Sequence, residues 1–216
     1  DALTVLTRSD FEYYSRFVKN CFVVHNPFFG EICDTKGAKQ NVILSVGRLE
    51  PVKGYEIYFD ALSGIDKSLL AQWEILIAGD GSLRESLREL AARLGLEVRF
   101  LGHKQDVSEL YKEAKIFVLS SLSEGLPNVL IESAFYGCAR LSSDTAGAKE
   151  LIKDGFSGVL FKCGDANELA SKLENLMRDE ALQNRLVQNA NENLSEFSQE
   201  RIVELWQGLI DRFARK

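Results

Sequence analysis

From residue 41 onward, short apolar runs rich in β-branched residues alternate with segments of helical periodicity. This alternation predicts parallel strands joined by helices, because consecutive parallel strands need a long crossover that is usually an α-helix. Six runs have the nearly continuous apolar character of strands buried on both faces: residues 42–46, 73–78, 98–101, 116–120, 139–143 and 158–161. The predicted fold class is therefore α/β, a parallel sheet with helices on both faces.

Helical periodicity is clearest at residues 83–94, where leucine recurs every third or fourth position with charged residues between. Gly95 follows as a C-terminal stop. Other helices are predicted at residues 107–114, 128–136, 167–177, 181–194 and 199–214. Because no strand pattern separates the last three, the sheet is expected to be complete near residue 161.

Residues 1–40 do not continue this regular alternation of strands and helices. They predict a strand at 3–7, a helix at 10–18 and a second strand at 21–25, followed by a polar, glycine-containing stretch that extends to Gln40. That stretch is interpreted as a linker. The boundary divides the chain into residues 1–40 and a domain of residues 41–216.

Composition excludes several classes of protein. The 216 residues are 45% apolar and 27% charged with a mean hydropathy of −0.11, which is typical of a folded globular chain. No apolar run approaches the roughly 18 residues of a membrane span, and the first residues do not resemble a signal peptide, so we expect no transmembrane segment and a cytoplasmic location.

The net charge and the cysteine content limit the kinds of ligand that the chain is expected to bind. The 26 basic and 32 acidic residues give a net charge of −6, which argues against a nucleic-acid partner. Because the chain as a whole is negatively charged, a few local cations must hold any anionic ligand. Four scattered cysteines and two histidines show no metal-ligand spacing. We therefore expect neither a disulfide framework nor a metal site.

Ligands of open parallel sheets bind at the carboxyl ends of the strands. After the strand at 42–46, Arg48 and Lys53 lie five positions apart between Gly47 and Gly54. A planar guanidinium and a mobile ammonium could together neutralise a diphosphate. The alternative is that both are solvated loop charges.

The loop after residues 116–120 leads into a helix, with Pro127 expected at its first position. Unpaired amides at a helix N-terminus suit phosphate or hydroxyl oxygens, and Gly125 would permit close backbone approach. Glu124 precedes this helix, and Glu132 lies in an apolar stretch within it. Glu132 could accept hydrogen bonds from a ribose diol; alternatively it faces solvent or caps a neighbouring backbone.

A third loop, residues 78–84, has only the beginning of a dinucleotide fingerprint, since Arg84 occupies its third glycine position. A tight turn is the better interpretation, and no phosphate-binding GxxxxGK[ST] loop occurs elsewhere. His103 follows the strand at 98–101 and could line the same crevice, although a lone histidine is more often a surface or packing residue. Gly147, Gly155 and Gly158 are expected to form turns around a short helix.

Five segments in order resemble the donor-binding half of the family 4, group 1 retaining glycosyltransferases, which have the GT-B fold with two Rossmann-like domains. They are SVGRLEPVKG at 45–54, LIAGDGS at 76–82, VRFLGHKQDV at 98–107, SLSEGLPNVLIE at 121–132 and GAKELIKDGFSGVLF at 147–161. The most specific is the glutamate pair of EGLPNVLIE, whose members have seven residues between them.

The resemblance implies a set of roles. Arg48 and Lys53 would bind the diphosphate of a nucleotide-sugar donor, and Glu132 its ribose. Glu124 would lie beside the donor sugar, and we do not assign it as a nucleophile. The catalytic residues implied by the resemblance are Glu124, Arg48 and Lys53. Substrate-binding residues in this scheme are Gly47, Arg48, Lys53, His103, Glu124, Gly125, Leu126, Pro127, Asn128 and Glu132.

The resemblance implies transfer of a sugar, with retention, from a nucleotide sugar to a glycan or lipid-linked acceptor, without a metal or other cofactor. The family favours UDP-sugars as donors. The chain departs from the family's usual sequence at two positions, with Ala146 before Gly147 and Lys149 in place of a proline. The resemblance therefore does not define the pocket for the donor sugar. Residues 1–18 resemble the end of a preceding acceptor domain, so the chain alone is expected to be inactive. Without a parent sheet they should be poorly ordered, repacked or paired with another molecule.

Peripheral membrane association would belong to the missing domain. The last helix is expected to present Trp206, Leu209, Ile210 and Phe213 towards it. A nucleotide-sugar epimerase and a non-catalytic binding module remain as alternatives; the first predicts interconversion of donor without acceptor, and the second a tight site without turnover.

Overall fold

The computed structural model describes residues 1–30, 39–192 and 194–214. The N-terminal elements are β1 (Leu3–Val5), α1 (Arg8–Tyr14) and β2 (Cys21–Val23). The next are β3 (Gln40–Val46), α2 (Tyr55–Ser63), α3 (Lys67–Leu70), β4 (Glu74–Ala78), α4 (Arg84–Leu94), β5 (Val98–Gly102), α5 (Ser108–Glu113) and β6 (Ala114–Leu119). The last are α6 (Asn128–Phe135), β7 (Ala139–Ser143), α7 (Ala146–Leu151), β8 (Val159–Phe161), α8 (Ala166–Arg178), α9 (Glu180–Asn191) and α10 (Gln199–Ala214).

Strands β3 to β8 form one parallel six-stranded sheet within the described residues, in the order β5-β4-β3-β6-β7-β8. The six predicted strands are thus confirmed, with ends shifted by one or two residues. The chain first builds outward from β3 to β5 and then returns to β6 on the other side of β3. This reversal creates a topological switch point between β3 and β6, the place where open α/β sheets bind ligands.

Helices cover both faces, as predicted, because alternate strand residues point to opposite sides. Ile43 and Ile116 pack in one core with residues of α2, α4 and α8. Leu44 and Phe117 pack in the other with residues of α5, α6 and α7. The continuous apolar character of the strands follows from burial on both faces.

The helix predictions hold apart from details at helix ends. Gly95 adopts the left-handed conformation with φ of 67° and ends α4, as expected. Pro127 was expected inside α6 but is its N-cap residue, with an extended backbone. Helices α2 and α3 received no bounds from the sequence.

The N-terminal residues lie outside the six-stranded sheet. Strands β1 and β2 pair in parallel with each other, Leu3 opposite Cys21, as a separate sheet of two strands. Helix α1 has no buried residue and presents Phe11, Tyr13 and Tyr14 to solvent. That these residues belong to a preceding domain stays a prediction. The expected linker falls largely outside the described residues, as does Cys33.

Helix α10 exposes Trp206 and Ile210, as predicted, whereas Leu209 and Phe213 are half-buried. Phe213 packs edge-on against Phe22 of β2, which explains its partial burial. Over the described ranges, no helix combines the length and apolar character that crossing a bilayer requires.

Candidate active site

The loops after β3 and β6 are joined backbone to backbone at the switch point. Leu122 N donates to Val52 O at 2.8 Å, and the Ser120 hydroxyl donates to Lys53 O at 2.9 Å. Gly54 has φ of 62°, and a Cβ there would lie 2.3 Å from Ser120 O, so only glycine permits this approach. The contact brings the side chain of Lys53 to the loop that contains Glu124.

Lys53 and Glu124 form a direct ion pair. Lys53 Nζ lies 2.6 Å from Glu124 Oε1, and the side chains are only 18% and 13% exposed. The Ser121 hydroxyl donates to the same oxygen at 2.6 Å. Partial burial makes such a pair stronger than a surface salt bridge, because water screens it less. The alternative of a solvated loop charge is therefore wrong for Lys53.

Arg48 is exposed, with Glu50 as a charged neighbour. Its backbone is nevertheless fixed, because Gly47 N donates to Ala78 O and Leu49 N to Asp80 O. The turn after β4 therefore supports the loop after β3. Gly79 has φ of 150°, and a Cβ there would lie 1.8 Å from Gly47 O. The prediction that the third loop is a tight turn requiring glycine is confirmed.

Glu132 lies one turn into α6 and is half-buried. The Tyr111 hydroxyl donates to Glu132 Oε2 at 2.9 Å. Burial raises the pKa of Glu132, and the hydrogen bond from Tyr111 lowers it in part. Among the described residues the hydrogen-bond partner of the Glu132 carboxylate is the buried Tyr111 rather than a backbone amide, and the carboxylate is only partly exposed.

A cavity of about 520 Å³ lies beside Glu132. Its lining residues are Asn26, Pro27, Phe28, Phe29, Gln105, Asp106, Val107, Ser108, Tyr111, Asn128, Ile131, Glu132 and Tyr136. Asn128 and Glu132 are four residues apart on one helix face, about 6 Å along the axis. The Asn128 side chain accepts a hydrogen bond from Asn26 Nδ2 at 2.9 Å, which ties the segment after β2 to α6.

The backbone between Glu124 and α6 separates the ion pair from the cavity. A Cβ at Gly125 would meet no atom within 4 Å, so space is open at this point of the loop. Leu126 and Pro127 have buried side chains, which leaves their backbone for any ligand contact. Pro127 has no amide hydrogen, so its backbone cannot donate a hydrogen bond to a ligand.

Gly147 does not form a turn, contrary to the prediction. It is buried in the first turn of α7, and a Cβ there would lie 1.6 Å from Gly125 O. Gly155, with φ of 68°, does occupy a left-handed turn position as expected. The absence of a side chain at residue 147 therefore lets α7 support the loop that carries Glu124.

A family model described as "Glycosyl transferases group 1" matches residues 34–193, which is most of the chain. The chain belongs to this family. It is 42% identical over 214 residues to a Campylobacter jejuni enzyme named GalNAc-alpha-(1->4)-GalNAc-alpha-(1->3)-diNAcBac-PP-undecaprenol alpha-1,4-N-acetyl-D-galactosaminyltransferase, covering 97% of this chain and 60% of that one. The amylovoran biosynthesis glycosyltransferase AmsD of Erwinia amylovora is 31% identical, with 98% and 62% covered. This group 1 chain thus spans about three fifths of the length of these relatives.

Solved structures agree on the fold. The pneumococcal O-GlcNAc transferase GtfA in complex with UDP and GlcNAc superposes with a TM-score of 0.87 at 21% identity, covering 100% of this chain and 46% of that one. Anabaena HepE in complex with UDP gives 0.84 at 22% identity, with 100% and 64% covered. The Rossmann-like α/β fold expected for a GT-B glycosyltransferase is therefore confirmed.

The structure unites only some of the expected site residues of this glycosyltransferase chain. Lys53 and Glu124 are in contact, and Asn128 and Glu132 share the cavity. Arg48 and Lys53 lie at the same sheet edge but outside the cavity lining. His103 is exposed and also lies outside that lining, although the next residues, Gln105 and Asp106, belong to it.

Sequence reasoning missed two residues that contact the paired glutamates, Ser121 and Tyr111. Ser121 lies two residues after the end of β6, a position that points to the carboxyl edge of the sheet. In the helix that the sequence predicts at residues 107–114, Tyr111 falls on one apolar face with Val107 and Ala114, and such a face is expected to pack against the sheet. Neither signal identifies the glutamate as the partner, because that contact depends on α5 and α6 packing on the same face of the sheet.

Proposed function

We propose that the protein is a retaining glycosyltransferase that transfers a sugar from a UDP-sugar to a glycan or lipid-linked acceptor, and that this chain binds the donor. The observation that carries the proposal is the Lys53–Glu124 ion pair at the switch point. It sets a cation for a diphosphate next to a carboxylate for a sugar, at the place where this fold binds nucleotides. The printed names of relatives and neighbours, which include a diphospho-undecaprenol substrate and bound UDP, support the two substrate classes.

In this proposal Lys53 and Arg48 stabilise the departing diphosphate, where negative charge develops during transfer. Lys53 is already neutralised by Glu124, so a bound diphosphate competes with that carboxylate for the ammonium. Displacement of Lys53 would leave Glu124 beside the donor sugar, held by the Ser121 hydroxyl. Glu132 accepts hydrogen bonds from the ribose. The scheme requires no metal.

The test is calorimetric titration of UDP, with a chelator present, into the wild-type chain and into Arg48→Ala, Lys53→Ala and the control Arg93→Ala. Arg93 is an exposed cation in the last turn of α4, away from the switch point. Loss of a charge-assisted hydrogen bond costs about 1.5–3 kcal/mol, so each site variant should bind UDP roughly 10- to 150-fold more weakly. Equal affinities for all four proteins would refute the phosphate role.

Lys53→Ala has a second effect, because it leaves Glu124 unneutralised near the phosphates. The double variant Lys53→Ala/Glu124→Gln separates the two effects. If Lys53 binds the diphosphate directly, the double variant stays weaker than Glu124→Gln alone. If Lys53 only neutralises Glu124, the two proteins bind UDP equally.

Turnover and acceptor are tested with the full-length protein. Mass spectrometry of the products from a panel of UDP-sugars, with and without lipid-linked acceptors, should show acceptor-dependent transfer. Interconversion of the donor without acceptor would instead indicate an epimerase.

A further inference from the structure

Tyr111 of α5 is held by contacts to both its aromatic ring and its backbone. Its side chain is fully buried, and its ring is stacked on that of Tyr136 with centroids 5.6 Å apart and an angle of 6°. A second ring, Phe117, lies 5.6 Å away at an angle. The Tyr111 carbonyl accepts from Lys39 Nζ at 2.8 Å and from Cys138 Sγ at 3.3 Å. Ring and backbone are therefore both held in place.

The one polar atom of this ring donates to Glu132. Glu132 Oε2 accepts this hydrogen bond at 2.9 Å. Among the described residues, Tyr111 is the side chain that donates to the Glu132 carboxylate. Burial, and then the nearby charge of Glu132, raise the pKa of Tyr111, so the hydroxyl stays protonated and remains a donor. The Tyr111 hydroxyl thereby fixes the orientation of a carboxylate that lines the cavity.

We propose that Tyr111 is a positioning residue that orients the Glu132 carboxylate to accept the ribose hydroxyls of the donor. The proposal rests on the donor-binding function above. A glutamate side chain has three rotatable bonds, and ordering it on binding costs conformational entropy. The Tyr111 hydroxyl, a hydrogen-bond donor fixed in the core, orders the Glu132 carboxylate before the ligand binds. The ribose hydroxyls therefore meet a preorganised acceptor.

The hydrogen bond also acts on the charge of Glu132. Since burial favours the neutral acid and Tyr111 favours the carboxylate, removal of the hydroxyl should raise the pKa of Glu132 further. Among the described residues, the other titratable side chains lining the cavity are Asp106, on the loop before α5, and Tyr136, the C-cap residue of α6. A serine amide holds the pKa of Asp106 low, so Asp106 stays charged through the range in which Glu132 titrates.

The experiment compares Tyr111→Phe with the wild type by calorimetry, using UDP and its 2′,3′-dideoxy analogue as probes. We expect Tyr111→Phe to bind UDP about tenfold more weakly, the effect of one lost hydrogen bond, and the dideoxy analogue unchanged. Carbon-detected NMR titration should in parallel show a higher pKa for Glu132 in the variant. Tyr58→Phe is the matched control, because it removes a buried hydroxyl from another part of the core; it should change neither quantity.

Equal weakening of both probes by Tyr111→Phe would overturn the proposal, because it would indicate a packing role. An unchanged pKa of Glu132 would overturn it as well, since the hydrogen bond would then not act on the carboxylate. Failure of the wild type to bind UDP at all would refute the donor site itself. These outcomes distinguish an error about Tyr111 from an error about the function.

Discussion

The contact between Gly147 and Gly125 gives the most direct test of how the site is built. A Cβ at residue 147 would lie 1.6 Å from Gly125 O and 2.9 Å from Pro127 Cδ. An ordinary carbon–oxygen contact is about 3.3 Å, so Gly147→Ala must separate α7 from this loop by about 1.7 Å. The same displacement moves the backbone that leads into α6.

The magnitude follows from two opposing terms. Overpacking a core typically costs 1–3 kcal/mol of stability. The cost of Gly147→Ala should be about 3 kcal/mol, because the atom that the new Cβ meets belongs to the backbone and cannot rotate away. Alanine recovers about 1 kcal/mol of helix propensity. The free energy of unfolding should therefore fall by about 2 kcal/mol, which lowers Tm by about 4–8 °C for a chain of this size. UDP affinity should fall as well, because the loop that carries Glu124 moves.

The assay is thermal melting together with UDP titration, and Gly125→Ala is the matched control. That substitution lies on the other side of the same contact, where a Cβ meets no atom within 4 Å and φ is not positive. Its free energy of unfolding should stay within about 0.5 kcal/mol of the wild type. A Gly147→Ala protein that melts with the wild type, or a Gly125→Ala protein that melts as low as Gly147→Ala, would refute the reasoning.

Two further variants probe the core and the sheet edge. Tyr58 has a buried hydroxyl with no hydrogen-bond partner among the described residues, so Tyr58→Phe should raise the free energy of unfolding by about 1 kcal/mol in a denaturant melt; a loss of stability would contradict this. The Asp144 carboxylate accepts hydrogen bonds from Lys149 and from the Cys163 amide, and these hold its pKa below the ordinary value of an aspartate. A lowered folded-state pKa stabilises the protein at pH values above the unfolded-state pKa, and this effect is lost as the pH falls through the folded-state pKa. The difference in Tm between wild type and Asp144→Asn should therefore be largest at neutral pH and disappear in acid; a difference that is independent of pH would show that the charge is not involved.

The positions of the candidate site residues in the fold could be predicted from the sequence, because these residues lie close together along the chain. Glu124 and Glu132 occur within one loop and one helix, and Arg48 and Lys53 within one loop. Their place at the carboxyl edge follows from the strands that precede them. The partners of these residues could not be predicted. Lys53 meets Glu124 only because β3 and β6 are neighbours, and Tyr111 meets Glu132 only because α5 packs against the same face as α6.

Gly147 shows the same division. Its sequence context favoured a turn, since glycine is common where φ is positive, and in the structure it instead admits the carbonyl of a residue 22 positions earlier. The sequence by itself determined the six strands of the sheet, most of the helices and the sheet edge where the candidate site residues lie, because side-chain periodicity and glycine stops are local properties. Only the tertiary structure decided the strand order, the ion pair, the tyrosine beside Glu132 and the close approach at Gly147, because each depends on atoms brought together from distant parts of the chain by packing.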